Sequence, residues 1–196
     1  EKFRAANPFL GMFNLMTPMD PARPVVGYAR TTDTARINNF LAHPEAIAIT
    51  PTDVRFLWEI YPDRHMVVQP TNGEPPLLGL IAIKTNRENR PPLSGQSITH
   101  ARQDFDSYNN SPIINIEMNA EGALIWERLT RSNIGKCIAI VLDDHVYSYP
   151  TVQGAITGGR SQISGQFTVE EARDLAVVLR AGALPIKLTV IEATVY

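Results

Sequence analysis

The chain has little of what a chemical site usually needs. Among its 196 residues there is one cysteine, Cys137, and there are four histidines. A lone cysteine excludes an internal disulfide and says little about compartment, because a domain with an adequate core does not require one. At the head of a β-rich run, Cys137 reads as a small buried hydrophobe. His43, His65, His100 and His145 stand apart from one another, so no His-based ligand spacing emerges. Long apolar runs are missing too. The longest is CIAIVL at 137–142, far below the ~18 residues or more that a bilayer-spanning helix needs. Charge of one sign is also scarce: the net charge is -2, and the 18 Lys and Arg are spread without a basic run. The electrostatic footprint of a nucleic-acid binder is therefore absent. What remains is a chain with 44% hydrophobic residues, enough for a real core in one or two domains.

Constellations that might support catalysis have simpler explanations. Asp143, Asp144 and His145 are three potential ligands in a row, but consecutive residues point in different directions. Their flanks mark a hairpin tip, where Asp satisfies turn backbone. His100 and Asp104 suit paired ligation only on a helix, and this segment reads as a strand. GGRSQISG (158–165) before a capped helix invites a phosphate-loop reading. It lacks the GK[ST] ending and any Lys, so its glycines are read as turn formers. Glu170 and Glu171 fall in a first helical turn, where capping and the helix dipole account for them. The sequence thus argues for no enzyme, no cofactor and no metal.

Two textures divide the chain. Residues 1–92 hold most of the 15 prolines, with PMDPARP, QPTNGEPP and RPP breaking short ordered pieces. Between the breaks, Asp33 is expected to cap a helix carrying Ile37, Phe40 and Leu41, with Pro44 soon after. Strands are expected at Val54–Ile60 and Leu77–Lys84, the latter apolar or small on both faces, as in a strand covered on both sides.

From residue 93 the pattern sharpens. SITHARQDFD can be read as a helix, but NN at 109–110 followed by Ile114, Ile116 and Met118 favours a hairpin. Asn119 should cap a helix that buries Gly122, Ile125, Trp126 and Leu129 and ends near Gly135. Lys136–Leu142 reads as a strand, with a turn at Asp143–His145 and a return strand Val146–Ser148. Thr168 and Glu171 form a capping box opening a helix with the stripe Ala172, Leu175, Ala176 and Leu179, closed by Gly182 with Pro185 beyond. Ile186–Val195 makes a final strand. The fold class is α+β: an antiparallel or mixed sheet with helices on one face.

Three stretches carry a family resemblance: MNxEGAxxW at Met118–Trp126, NIGKxIAIVLD with VYSYP at Asn133–Asp143 and Val146–Pro150, and ITGGxSQIxGxFTVEEAxDLAxVLxAGALP at Ile156–Pro185. In this order and spacing they resemble the extracytoplasmic domain of SecD, in particular of the fused SecDF form. The match is weaker upstream, limited to the aromatic strand around Trp58, the strand ending at Lys84, and PLSG at 92–95. NPFLGMFNLMTP (7–18) resembles a lineage-specific segment.

The resemblance implies an excised periplasmic piece of a multi-pass inner-membrane protein, consistent with a start at Glu1 and no signal peptide. It implies three parts: 1–92 as the Pro-rich N-terminal part of a head, 93–185 as the head core, and 186–196 as a strand returning to a base. The function it implies is assistance to proton-motive-force-driven export, the head holding the emerging unfolded preprotein and changing orientation against the base. Implied partners are preprotein, the SecYEG translocon, SecF or the SecF half of a fused protein, and YajC. The proton-carrying groups of the family lie outside this chain.

Tyr147 and Tyr149 alternate along a strand, so both rings are expected on one face. With Ile156 and Phe167 they are candidates for polypeptide binding, against plain cross-strand packing. Two chain crossings between head and base are expected, and Leu93, Gly95, Gly182, Leu184 and Pro185 are candidate hinge residues. The competing reading is a scaffold that contacts SecY or a periplasmic chaperone without holding substrate.

Overall fold

The run CIAIVL becomes β6 (Cys137–Leu142), and every one of its residues is buried. Ile138, Ile140 and Leu142 enter one apolar cluster, and Cys137, Ala139 and Val141 enter another. A strand covered on both faces needs an apolar residue at every position, and β6 has one. The computed structural model describes residues 24–62, 73–86, 91–181 and 187–191.

Around β6 a six-stranded mixed sheet runs in the order β1-β3-β2-β7-β6-β9. Its other members are β1 (Val25–Arg30), β2 (Val54–Glu59), β3 (Leu77–Lys84), β7 (His145–Ser148) and β9 (Lys187–Ile191). All its pairings are antiparallel except the short parallel join of β2 to β7 at Trp58–His145 and Glu59–Val146. That join unites the N-terminal strands with those after residue 93 in one sheet. The final strand expected from Ile186 is seen as β9, antiparallel to β6.

The residues of β3 alternate between two buried faces, Leu80 on one and Ile81 on the other, as the sequence pattern predicts. β1 was not expected, because it follows directly on the Pro-rich stretch.

A second sheet, three-stranded and antiparallel, has the order β4-β5-β8. The expected hairpin is β4 (Ile98–Phe105) and β5 (Pro112–Met118). At its tip the Asp106 carboxylate accepts the N–H groups of Tyr108 and Asn109, which hold its pKa below the ordinary value. β8 (Arg160–Ser164) falls inside GGRSQISG, which the sequence reads as a loop. Its single apolar residue, Ile163, is buried, while its polar residues lie on an edge strand with a solvated outer face. A polar edge strand carries almost no periodic signal.

Helices fill the space on one side of the main sheet. α1 (Thr34–Leu41) buries Ile37 against Ala29, Trp58 and Leu80. Asp33 sits at its N-cap position but makes no side-chain cap bond, because a 3-10 turn at Thr31–Asp33 already holds it in helical geometry. Pro44 does not simply follow that helix. It opens α2 (Pro44–Ile49), where His43 is the cap.

α3 (Ala120–Ser132) starts as expected, with Asn119 Oδ1 accepting the Gly122 N–H at 2.8 Å. α4 (Val169–Ala181) opens on the reciprocal capping box. The Thr168 N–H donates to Glu171 Oε2 at 3.0 Å, and the Glu171 N–H donates to Thr168 Oγ1 at 3.2 Å. Its stripe Ala172, Leu175, Ala176 and Leu179 is buried, together with Trp126, Ile114, Ile116 and the inward residues of β6. The observed class is α+β with a mixed sheet and helices packed on one face.

Thr130, which the helical pattern gave no reason to single out, is fully buried. Its hydroxyl donates to the Trp126 carbonyl at 2.8 Å and accepts the Ile156 N–H at 3.0 Å, tying the segment before β8 to α3. Replacing Thr130 with Val keeps shape but takes the acceptor from that N–H, and should cost about 1–3 kcal/mol. Urea unfolding should show a lower midpoint at an unchanged slope; an unmoved midpoint would remove the hydroxyl from the account.

Candidate functional site

The return strand after β6 aims the first candidate residue. A two-residue turn links β6 to β7, with Asp143 (φ 47°) and Asp144 (φ 59°) both in the left-handed region. This is the type I′ geometry that matches strand twist. Asp144 Oδ1 also accepts a hydrogen bond from Arg55 at 3.2 Å, and His145 Nδ1 lies 2.8 Å from the Asp143 carbonyl. The three residues thus build and brace a turn.

From this turn Val146 points to one face of the sheet and Tyr147 to the other, where it packs against the α4 cluster. Alternation along the sequence would put Tyr149 beside Tyr147, but the two rings do not share a face. β7 stops at Ser148, and the chain bends so that the Pro150 carbonyl accepts the Ile138 N–H. Tyr149 therefore packs against the opposite cluster with Val146 and Val141.

There the Tyr149 hydroxyl donates to Oε1 of Glu59 at 2.9 Å. Glu59, at the end of β2, is only 5% exposed. Its Oε2 accepts the Gly79 N–H at 3.2 Å. Gly79 is glycine for a spatial reason: a Cβ there would collide with that same carboxylate oxygen. The sheet makes room for one charged group among apolar residues and hydrogen-bonds it, the condition on which such burial is tolerated.

These residues surround a cavity of about 100 Å³, lined by Glu59, Tyr61, Val146, Tyr147, Ser148, Tyr149, Pro150 and Ser164–Phe167. Tyr61 and Tyr147 meet edge to face, with ring centroids 6.0 Å apart and planes at 85°, the arrangement aromatic quadrupoles prefer. The Tyr147 hydroxyl has a raised pKa, first because burial disfavours its anion and then because Asp143 and Asp174 add negative potential.

Three of the four polypeptide-binding candidates, Tyr147, Tyr149 and Phe167, come together here. Ile156 does not. It is partly buried against the main core, held by its N–H bond to Thr130. Glu59 and Tyr61 were missed by the sequence reading. The available signal was a Glu directly after the apolar run Phe56–Trp58 at the end of the VRFLWE strand.

The other candidates are placed as follows. Leu93 is buried in the main core, and Gly95 opens a 3-10 turn at Gly95–Ser97. Gly182, Leu184 and Pro185 lie outside the described residues. His100 approaches Glu117 at 3.8 Å, whereas Asp104 accepts from Asn115, so His100 and Asp104 do not converge. Gly158 and Gly159 form a left-handed turn into β8; a side chain at 159 would lie 2.7 Å from Ala123 Cβ. Among the described residues, no group of three or more His, Cys, Asp or Glu is placed to hold a metal ion, and no helix is long and apolar enough to cross a membrane.

Comparison with known families gives a match to the SecDF P1 head subdomain over residues 79–186, more than half of the chain. The chain belongs to the SecD/SecDF family. Protein translocase subunit SecD of Rhodothermus marinus is 41% identical over 189 residues, which are 96% of this chain and 28% of that protein. Protein translocase subunit SecDF of Thermus thermophilus is 44% identical over 110 residues, 56% of this chain and 15% of that protein. The chain therefore spans well under half of these relatives. A solved structure of SecDF, described as a membrane component that enhances protein export, is 29% identical, covering 85% of this chain and 76% of that one, with a TM-score of 0.44. Relatives named SecD or SecDF are named as translocase subunits rather than as enzymes.

Replacing Tyr149 with Phe removes the hydroxyl that donates to the buried Glu59 carboxylate. The expected loss is about 1.5–3 kcal/mol, the range for hydrogen bonds to charged groups. Thermal and urea unfolding should both register it. A variant as stable as the parent would mean that the Tyr149–Glu59 bond does not support the wall of the cleft.

Proposed function

We propose that this chain is a head region of a SecD-type translocase subunit on the periplasmic side of the bacterial inner membrane. In this reading it holds the emerging unfolded preprotein weakly at the cleft of Tyr61, Tyr147, Tyr149 and Phe167. The observation that supports this most is that Tyr147, Tyr149 and Phe167 line one small aromatic cavity, in a chain of the SecD/SecDF family. Unfolded chains of many sequences need only modest apolar contacts and low selectivity, and rings that are partly buried supply such contacts at little entropic cost.

Holding alone moves nothing. A head with equal affinity for substrate in two orientations biases neither, so the grip must differ between the two poses of the head against its base, coupled in the full protein to the proton-motive force. The proposed bending points are the two crossings, near Pro91–Gly95 and at Ala181–Pro185. The partners in this reading are the preprotein, SecYEG, SecF and YajC. Neither cofactor nor catalytic step is invoked.

A second reading, a scaffold that docks another folded protein, draws on the β4–β5 tip, where Tyr108 is 97% exposed on a turn braced by Asp106. Titrating an unfolded secretory protein into the domain separates the two. Saturable weak binding with NMR shifts at Tyr147 and Phe167, reduced several-fold by Phe167→Ala, is expected for the holding function. No binding, or shifts confined to Tyr108, would favour the scaffold. In the full-length protein, Gly182→Val should impair export while the isolated domain stays folded. Unchanged export would count against the hinge.

A further inference from the structure

β8 ends the small sheet, and among the described residues no strand pairs with its far side. The Met118 N–H donates to the Gly159 carbonyl at 2.8 Å, one step beyond the opposed pair Glu117–Arg160. Ladder bonds between antiparallel strands alternate. Ile116–Ser161 and Ile114–Ile163 are therefore the pairs that bond across to β5, and the N–H and C=O groups of Arg160, Gln162 and Ser164 point to the open side. All three residues are exposed. Sheet edges are usually blunted by bulges, proline or inward-pointing charge. β8 has none of these: its register with β5 runs without a shift, RSQIS contains no proline, and the Arg160 side chain lies exposed beside Glu117. The opposite edge of the same sheet is treated differently. There the alternation turns the Phe105 N–H outward, and the Asp104 carboxylate accepts it at 2.9 Å. At its C-terminal end β8 passes into Ser164–Phe167, the stretch that lines the aromatic cavity.

We propose that an extended polypeptide joins β8 as a fourth strand of the small sheet, bonding to Arg160, Gln162 and Ser164 and seating a side chain in the cavity at the strand's end. The inference rests on the polypeptide-holding function and supplies its backbone half. A strand edge bonds main chain, which every unfolded sequence carries, so affinity comes without sequence selection, and the cavity adds one apolar contact. Outward groups at every second residue suit an extended chain. A helix has already paired its own backbone groups and has none to offer along such an edge.

The test titrates the whole chain with an unstructured peptide of Ser and Val with one central Phe, about nine residues long, enough to span β8 and reach the cavity. At saturation, hydrogen exchange should slow several-fold at the Arg160, Gln162 and Ser164 amides. It should stay unchanged at Ser161 and Ile163, whose N–H groups are already bonded to β5. Gln162→Pro removes one outward N–H without touching that ladder, a position where an edge strand accepts proline. It should weaken binding about fivefold, the worth of one such bond, whereas Gln162→Ala keeps the N–H and should bind as the parent does. The exchange pattern is read on the parent and stands whether or not the proline variant folds. Binding with NMR shifts at Tyr147 and Phe167 but unchanged exchange at 160, 162 and 164 would overturn the fourth strand and leave polypeptide holding intact. Equal affinity of folded proline and alanine variants would overturn it as well. No binding of the peptide would overturn both.

Discussion

Burial of β6 on both faces is the constraint from which the rest of the domain follows. A strand with apolar residues at all six positions cannot lie at a surface. It must have strands on both edges and cover on both faces. β7 and β9 supply the edges. One face takes α4, Trp126 and the inner residues of the small sheet; the other takes Val25, Leu57, Ile81 and Ile83. Because β6 fixes the register of β7 through a two-residue turn, it also fixes which way Tyr147 points, and so where the cleft forms.

The cleft forms where that regularity ends. β7 ends at Ser148, four residues past the turn, and the chain then reverses the side on which its next aromatic ring packs. Tyr149 then meets Glu59, 90 residues away in sequence. A carboxylate in an apolar face is normally a liability. Gly79 removes the side chain that would crowd it, and two hydrogen bonds engage its oxygens. The same three residues thus permit the charge and stiffen the wall beside which the cavity lies.

The parts legible in the sequence were those coded locally. Asn119, the Thr168–Glu171 box, the two buried helical stripes and the β4–β5 hairpin each declare themselves within a few residues. Where the signal was non-local or polar, the reading failed. β8 has one apolar residue in five, and its strand state comes from pairing with β5. Asp33 looked like a cap, but the turn before it had already settled the helix start. The shared face expected for Tyr147 and Tyr149 assumed that β7 runs on, and β7 ends one residue too soon. Glu59 and Tyr61 joined the cleft through the parallel β2–β7 join, which no local pattern encodes.

The central claim is that an exported chain passes along this aromatic cleft. A photo-crosslinking residue at Gln166, exposed on the cleft rim, compared with one at Arg102 on the outer face of the small sheet, measures this directly in the full-length protein during export of a stalled preprotein. The account predicts adducts from position 166 that need the translocating chain, and few from 102. Adducts from 102 alone, or equal yields with and without preprotein, would contradict it.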